Sequence, residues 1–184
     1  MQYHDFLSSE FDEMLGWSRK ASELDAELLD IDEWGELKRK IDSNREEKDI
    51  LVLKDQGEKL NAKAFGEPRL DAVLLQDSKI NHVIAKKAAE NKTAAGFDLK
   101  HVLSSERPRV MKRWRRNIEL LEKYDAPYFI SCNASVPEEL RPPRDVAAFV
   151  EVIGGKGRKS VSETPGKIVE RAEKDLNAAG VRKK

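Results

Sequence analysis

The segment ILVLKDQGEKLNAKAFGEPRLDAVLLQD, residues 50–77, determines the predicted fold. It contains two short, mostly apolar runs, Ile50–Lys54 and Asp71–Leu75, and between them a weak helical pattern carried by Leu60 and Ala64. Runs that are apolar at nearly every position are typical of strands covered on both faces, as in a parallel sheet. Because the second run begins 21 residues after the first, the segment predicts a strand, a crossover helix and a parallel strand.

The same strand–helix unit recurs along the 184 residues of the chain. Further strands are predicted at Tyr3–Leu7, Glu27–Ile31, Thr93–Phe97 and Tyr128–Cys132, and Lys159–Ser162 is a candidate seventh. Apolar residues at helical spacing predict the intervening helices, namely Phe11/Met14/Leu15, Trp34/Leu37/Ile41, Ile80/Val83/Ile84/Ala88, Val110/Trp114/Ile118/Leu121, Val146/Phe149/Val150/Ile153 and Ile168/Ala172/Leu176. Thr164-Pro165 is typical of the start of the last helix.

This repeat predicts an α/β fold of six to seven parallel strands with outer helices. The strands can curl into a barrel or form an open doubly wound sheet, and a full eight-strand barrel typically takes about 250 residues. We expect one domain over residues 1–180 and a basic tail over 181–184.

Composition indicates a soluble globular protein, with 39% hydrophobic and 37% charged residues. No run approaches the roughly 18 apolar residues of a membrane span, and no signal-peptide pattern opens the chain. The single cysteine, Cys132, excludes a disulfide within the chain and zinc sites built on cysteine clusters. We therefore expect a cytoplasmic protein without membrane contact.

The formal net charge of zero hides a gradient along the chain. Residues 1–76 contain 11 basic and 19 acidic residues, whereas residues 77–184 contain 23 and 15. A basic second half indicates a nucleic-acid or other acidic partner, and chance clustering on a highly charged surface is the alternative.

Polar residues follow most of the predicted strands and raise the question of a metal site. They are Asp5, Asp30, Asp32, Asp55, Asp77, Asp98 and Asn133. A ring of carboxylates at one mouth of a barrel can bind divalent metals, but Asp at a strand end is also the ordinary cap of the following helix. The chain has three histidines and no H-x-H or H-E-x-x-H motif, so the sequence favours neither a metal site nor catalytic residues.

Two other patterns of catalytic chemistry are absent. Ser131 and Ser135 have no G-x-S-x-G context. Cys132 ends an apolar strand, where a thiol is typically structural, and a Cys–His pair with His82 or His101 is the alternative. The run GGKGRKS, residues 154–160, fails the phosphate-loop pattern and follows a predicted helix. Its cations Lys156, Arg158 and Lys159 remain candidates for contact with a phosphate backbone.

The strongest functional pattern is RPRVMKRWRRN, residues 107–117, in the fifth predicted helix. Its candidate RNA-binding residues are Arg107, Arg109, Lys112, Arg113 and Arg116, and no acid interrupts them. The helix dipole disfavours cations in the first turns, so an external polyanion is one way to stabilise this helix. The alternative is a solvated charged face.

Arg141 and Arg144 flank Pro142-Pro143 after the last predicted strand of the repeat. The prolines restrict the backbone, so these arginines are also candidates for contact with RNA phosphate or an acidic partner. An internal salt bridge, for example from Arg144, is the alternative.

Several segments together resemble one protein family. LLEKYDAPYFISCNASVPEELRPPRDVAAF (residues 120–149), INHVIAKKAAEN (80–91), SVSETPGKIVER (160–171) and YHDFL (3–7) are similar, in this order, to the archaeal ribonuclease P protein component 3 family. The resemblance implies a TIM-barrel-like fold, complete or incomplete, related to the polymerase and histidinol phosphatase superfamily. The related hydrolases carry H-x-H after the first strand, where this chain has Asp5-Phe6-Leu7.

The resemblance also implies a function. It implies a protein subunit of ribonuclease P, the endonuclease that matures the 5′ end of precursor tRNA, with the chemistry and its Mg²⁺ in the RNA subunit and no cofactor on this chain. The implied partners are the ribonuclease P RNA, the protein component 2 with two copies of each protein, and precursor tRNA indirectly. An autonomous metal-dependent hydrolase of the same superfamily and a protein-interaction barrel without an RNA role are the alternatives.

Overall fold

A computed structural model describes residues 2–5, 7–9, 15–18, 24–45, 47–103 and 106–178, the last four by their backbone only. It contains a sheet of five strands: β1 Ala26–Leu29, β2 Ile50–Leu53, β3 Ala72–Leu74, β4 Ala94–Asp98 and β5 Tyr128–Ser131. The strands lie in sequence order and every neighbouring pair is parallel. The sheet does not close, so the predicted class, an α/β repeat with an incomplete barrel, is confirmed.

In the residues that the structure describes, six α-helices alternate with or follow the strands: α1 Trp34–Asn44, α2 Glu58–Ala64, α3 His82–Asn91, α4 Arg107–Lys123, α5 Pro143–Val152 and α6 Thr164–Ala178. Short 3₁₀ helices occupy Leu99–Leu103 and Pro137–Glu139, and a π-helix occupies Lys159–Glu163. Local sequence explains the start of α3. The Asn81 side chain caps α3 by accepting hydrogen bonds from the backbone N–H groups of Val83 and Ile84. No helix in the described residues combines the length and apolar character needed to cross a membrane.

The two faces of the sheet carry two separate cores because side chains alternate along each strand. Leu51, Leu53 and Phe97 pack in the larger core, together with residues of α1 to α5. Ile50, Val52, Ala72, Leu74 and Phe129 point the other way and pack against Ile168, Val169 and Ala172 of α6. Helix α6 therefore covers the face that a closed barrel would turn inward.

The predicted seventh strand at Lys159–Ser162 is wrong, because these residues form the π-helix that runs directly into α6. Arg158 already has helical backbone angles, and the hydroxyl of Ser160 donates to the carbonyl of Gly157 at 2.8 Å. A Cβ on Gly157 would lie 2.5 Å from the carbonyl oxygen of Ala147, so glycine lets this segment pack closely on α5.

The first predicted strand, Tyr3–Leu7, is not a strand in the residues that the structure describes there. The segment instead makes isolated backbone bonds, from His4 N–H to the Val161 carbonyl at 3.2 Å and from Ser18 N–H to the Tyr3 carbonyl at 2.6 Å. These bonds connect it to the π-helix before α6 and to Ser18 rather than to a sheet ladder, so the described part of the chain has five strands instead of six or seven.

Some expectations fall on residues outside the described ranges. The helix predicted from Phe11 and Met14 and the basic tail at 181–184 lie there. The boundaries of the single domain also remain a prediction.

The buried carboxylate of Asp71 connects early and late segments of the chain at one end of the sheet. Asp71, which precedes β3, is fully buried and accepts hydrogen bonds from Arg45 Nη1 and the Leu51 N–H, each at 2.8 Å. It also pairs with Arg171 of α6. The three partners come from the segment after α1, from β2 and from α6, so Asp71 ties α6 to the amino-terminal end of the sheet.

Candidate nucleic-acid interface

Helix α4 presents its basic residues outward because its apolar residues occupy a single face. Val110, Trp114, Ile118 and Leu121 are buried, as the helical spacing predicts. The ring of Trp114 lies 5.1 Å from that of Phe97, and this packing fixes the rotation of the helix about its axis.

The outward residues of α4 form one side of a basic depression. This depression, here called the α4 groove, has a volume of about 550 Å³ and is lined by Lys79, Pro108, Arg109, Lys112, Arg113 and Arg116. Five of the six lining residues are cations. The structure thus brings together four of the ten predicted RNA-binding residues and adds Lys79.

Lys79 reaches the groove because a buried amide on α4 holds its loop. The Asn117 side chain donates to the Ser78 carbonyl at 3.0 Å and accepts from the Ile80 N–H at 3.2 Å. Both bonds flank Lys79, so α4 and the loop after β3 are fixed relative to one another. The sequence signal for this contact was a single Asn on the otherwise apolar face of the helix.

A second carboxylate stiffens the same loop. Asp55, after β2, accepts backbone hydrogen bonds from Gln76 at 2.9 Å, Asp77 at 2.8 Å and Ser78 at 2.7 Å. Burial alone would raise the pKa of the Asp55 carboxyl, but hydrogen bonds from Ser78, Gly57 and Asn61 hold that pKa below its ordinary value. Asp55 is therefore ionised, and its carboxylate holds the loop in place.

The cations of the α4 groove differ in how they are neutralised. Arg113 pairs with Asp77, and Arg109 pairs with Glu106 at 2.9 Å between two exposed side chains. Lys112 and Arg116 are exposed and form no ion pair with any residue that the structure describes. Surface pairs contribute only about 0–1 kcal/mol each, so a phosphate can compete for Arg109 as well.

Arg107 and Arg141, two other predicted RNA-binding residues, lie away from this groove. They line a largely apolar cavity of about 360 Å³ between α4 and α5, together with Asp145. The Nε–H of Arg107 donates to the Val102 carbonyl at 2.8 Å, and the Arg141 guanidinium folds back on the carbonyls of Glu138 and Leu140.

Arg144 stands at the start of α5, next to the buried Pro143, and is exposed. The salt bridge considered for it is not found within the described ranges. Arg144 is therefore free to contact an acidic partner, but it does not line the α4 groove.

The remaining three predicted residues form a neutralised cluster elsewhere. Lys156 pairs with Glu122 at 2.7 Å, and Lys159 lies 3.6 Å from Glu122 and 3.5 Å from Asp125. Arg158 pairs with Glu163 at 2.9 Å. The sequence pattern did not reveal this neutralisation, because Glu122 and Asp125 lie about 30 residues before the GGKGRKS run in the chain.

The acids predicted at strand ends as possible metal ligands accept hydrogen bonds from neighbouring loops. Asp5 is buried and accepts from the Ser8 hydroxyl at 2.9 Å, the Cys132 N–H at 2.8 Å and the Ser131 hydroxyl. Asp98 accepts from the Asn133 amide at 2.8 Å, and burial raises the pKa of its carboxyl. Within the described ranges, no group of three or more His, Cys, Asp or Glu side chains is placed to hold a metal ion.

Cys132 is placed as a structural thiol. Burial, together with the charge of Asp5, raises the pKa of the Cys132 thiol to about 12. The thiolate that a nucleophile requires is therefore strongly disfavoured at neutral pH.

The open parallel β/α repeat and the α4 groove define an incomplete TIM-barrel-like protein whose candidate site is a groove lined by cations. Residues 28–176 match the family described as RNase P subunit p30, and the chain belongs to this family. The resemblance on which the sequence analysis relied is thereby confirmed.

Individual relatives agree with the family assignment. The chain is 33% identical over 137 residues to a ribonuclease P protein component 3 from Methanosarcina mazei, which covers 69% of this chain and 57% of that protein. It is 35% identical over 119 residues to the protein of the same description from Natronomonas pharaonis, covering 62% and 50%. This chain thus spans between half and three fifths of the length of these curated relatives.

A solved structure shares the fold. A chain in the cryo-EM structure of archaeal Ribonuclease P with mature tRNA superposes with a TM-score of 0.78, over 95% of this chain and 84% of that chain. The sequence identity is 23%, so this likeness concerns the fold.

Proposed function

We propose that this chain is a protein subunit of ribonuclease P that binds the ribonuclease P RNA through the α4 groove. The observation that carries the proposal is the convergence of five cations on one groove, three of which, Lys79, Lys112 and Arg116, have no acidic partner among the described residues. Membership of the RNase P subunit p30 family supports the choice of RNA as the polyanion.

Helix energetics support an anionic ligand at this groove. No acid lies in the first turn of α4, although the helix dipole favours acids there and disfavours Arg107 and Arg109. Close packing of like charges adds repulsion. A phosphate backbone laid along the groove would relieve both effects and release counterions.

We place the hydrolytic chemistry in the RNA subunit, with Mg²⁺ bound there and no cofactor on this chain. The protein's part is to position and neutralise RNA during 5′-end maturation of precursor tRNA. The hydrogen bonds that Asp5 accepts from Ser8 and Cys132, and that Asp98 accepts from Asn133, support this division, because these carboxylates already brace the loops around them.

We assign the protein partner to the acidic first half of the chain. Asp32, Glu33 and Glu36 are exposed at the start of α1, where RNA would be repelled. The partner is the protein component 2 of ribonuclease P, in an assembly with two copies of each protein, and precursor tRNA is contacted indirectly.

The test is a binding titration with ribonuclease P RNA at several salt concentrations. In the variant Lys112→Gln/Arg116→Gln, RNA affinity should fall, and the slope of log affinity against log salt should shrink by up to about two units, roughly one per lost phosphate contact. Gln preserves helix propensity, so the fold should persist.

A matched control is Lys59→Gln/Lys63→Gln on α2, which removes the same charge from another surface. If both double variants reduce affinity equally, only net charge matters and the α4 groove is not the RNA site. An unchanged slope in a folded Lys112→Gln/Arg116→Gln variant would also contradict the proposal.

A further inference from the structure

A second cation-lined cavity lies at the opposite end of the sheet from the α4 groove. It has a volume of about 390 Å³ and forms where β4 and β5 begin and α6 crosses the sheet. Its charged lining consists of Lys92, Lys167, Arg171 and Asp125. None of these four residues is among the candidates that the sequence analysis selected.

The two lysines leave this cavity electropositive. Lys92 and Lys167 are exposed and have no ion pair among the residues that the structure describes. Lys92 ends α3 in the left-handed region, at φ 57°, which sets its side chain at the rim of the cavity. The Asp125 carboxyl is 97% exposed and lies 3.5 Å from Lys159, so its charge is already partly compensated from outside the cavity.

Arg171 adds a cation to the cavity, and the carboxylate that pairs with it also pairs with a second arginine. The fully buried Asp71 pairs with Arg171 and also with Arg45, so one carboxylate charge serves two guanidinium groups. The Nε atom of Arg171 is buried and has no hydrogen-bond acceptor in the described part of the chain. A buried guanidinium N–H without an acceptor is destabilising, and such a group is typically satisfied by a protein acceptor, an ordered water or an ion.

We propose that this cavity is a phosphate-binding site formed by Lys92, Lys167 and Arg171. Phosphate oxygens accept charge-assisted hydrogen bonds from lysine and arginine. The phosphate group comes either from an RNA backbone or from a free phosphate ion, and both present the same chemistry. This site is distinct from the α4 groove and does not depend on the function proposed for that groove.

The direct test uses inorganic phosphate as the probe and NMR of the full chain as the readout. The Nε–Hε resonance of Arg171 should shift saturably as phosphate is added, and chloride at equal ionic strength should not reproduce the shift. In Lys92→Gln/Lys167→Gln the dissociation constant for phosphate should rise, on the order of tenfold, because two charge-assisted contacts are lost. Arg171 and Asp71 are unchanged in this variant, so the core below the sheet should remain folded.

The control Lys59→Gln/Lys63→Gln removes the same charge from α2 and should bind phosphate as the unmodified chain does. A phosphate titration no different from the chloride titration would overturn the proposal. So would equal phosphate affinity in the Lys92→Gln/Lys167→Gln variant and the unmodified chain.

A second arm, with ribonuclease P RNA, identifies the source of the phosphate. If the RNA backbone occupies the cavity, Lys92→Gln/Lys167→Gln should lower the salt slope by up to about two units, and added phosphate should compete with RNA. If RNA binding is unchanged while the Arg171 resonance still saturates with phosphate, the site takes free phosphate. The Lys112→Gln/Arg116→Gln variant, measured in parallel, tests the α4 groove separately, because it should leave the phosphate titration unaltered.

Discussion

In the α4 groove, an acid that pairs with a cation reduces the positive charge that this cation presents to a ligand. Asp77 pairs with Arg113, whose side chain is only 12% exposed, whereas Asp77 is 65% exposed. Because the loop of Asp77 is held by Asp55 and Asn117, the acid cannot easily move away from the groove. Asp77 therefore competes with an incoming phosphate for Arg113.

The substitution Asp77→Asn should increase RNA affinity. The amide keeps the shape of the side chain and removes the negative charge, so Arg113 becomes available to phosphate, and the salt slope should steepen by up to about one unit. The titration of RNA against salt measures this directly. Asp32→Asn, which removes an exposed acid at the start of α1, is the control, and an equal gain in both variants would argue against a specific role for Asp77.

Gly96 of β4 lies in a tightly packed part of the sheet face that α6 covers. A Cβ at this position would lie 2.6 Å from Leu74 Cδ2 and 2.7 Å from Phe129 Cζ. Gly96→Ala should therefore lower the free energy of unfolding by about 1–3 kcal/mol through overpacking, measured by chemical denaturation.

The control for that measurement is Gly35→Ala, in the first turn of α1, where the nearest atom to a new Cβ is Glu33 Oε1 at 3.5 Å. Alanine should stabilise this helix, by up to about 1 kcal/mol. Opposite signs at the two glycines are expected, and a neutral Gly96→Ala would show that Leu74 and Phe129 move aside freely.

Among the elements, α6 covers the inner face of the open sheet. Its apolar residues Ile168, Val169 and Ala172 cover the inner face of the sheet, and Arg171 on the same helix pairs with Asp71. A five-stranded sheet that does not close would otherwise expose a hydrophobic surface on that face. The helix was predicted from Thr164-Pro165, but its position across the inner face was not.

The substitution Asp71→Asn should destabilise the protein by roughly 2–3 kcal/mol. Breaking a fully buried ion pair typically costs about 3–5 kcal/mol, and the cost here is smaller because Arg45 and Arg171 retain 22% and 32% exposure of their side chains. Thermal or urea unfolding measures the change. Asp42→Asn, which breaks an exposed pair with Arg69, is the comparison and should shift stability by less than about 1 kcal/mol. Equal effects would mean that Asp71 does not anchor α6.

For the whole molecule, the arrangement of charge favours a binding subunit over an independent enzyme. The α4 groove lies beside the carboxyl-terminal ends of the strands, and Asp55 after β2 and Asp98 at the end of β4 brace loops. The purified chain alone should therefore not cleave precursor tRNA, with or without Mg²⁺.

Cleavage should appear when the ribonuclease P RNA and the protein component 2 are added. The measurement is a 5′-end cleavage assay on precursor tRNA, with the Lys112→Gln/Arg116→Gln variant expected to need more protein for the same rate. Cleavage by the RNA-free chain that survives controls for contaminating nucleases would favour the alternative of an autonomous hydrolase.

Much of the repeat was predictable because its signals are local. Ile50–Leu53 is apolar throughout, Tyr128–Ser131 is apolar up to its final serine, and each is a fully buried strand of the parallel sheet. The spacing of Val110, Trp114 and Ile118 likewise determines which face of α4 is buried. Periodicity depends only on neighbours along the chain, so it can be read before the tertiary structure is known. Lys159–Ser162 misled the prediction because it is short, and its helical form depends on close packing against α5.

The sequence by itself therefore determined the α/β class, the strands of the central sheet, the basic face of α4 and the family. Only the tertiary structure decided which cations act together. Lys79 joins the α4 groove through Asn117, 38 residues away in the chain, and Lys156 is neutralised by Glu122 across 34 residues. The phosphate cavity likewise collects Lys92 and Lys167 from different helices. Electrostatic interactions depend on distance in space, and the pattern of charges along a chain does not specify those distances.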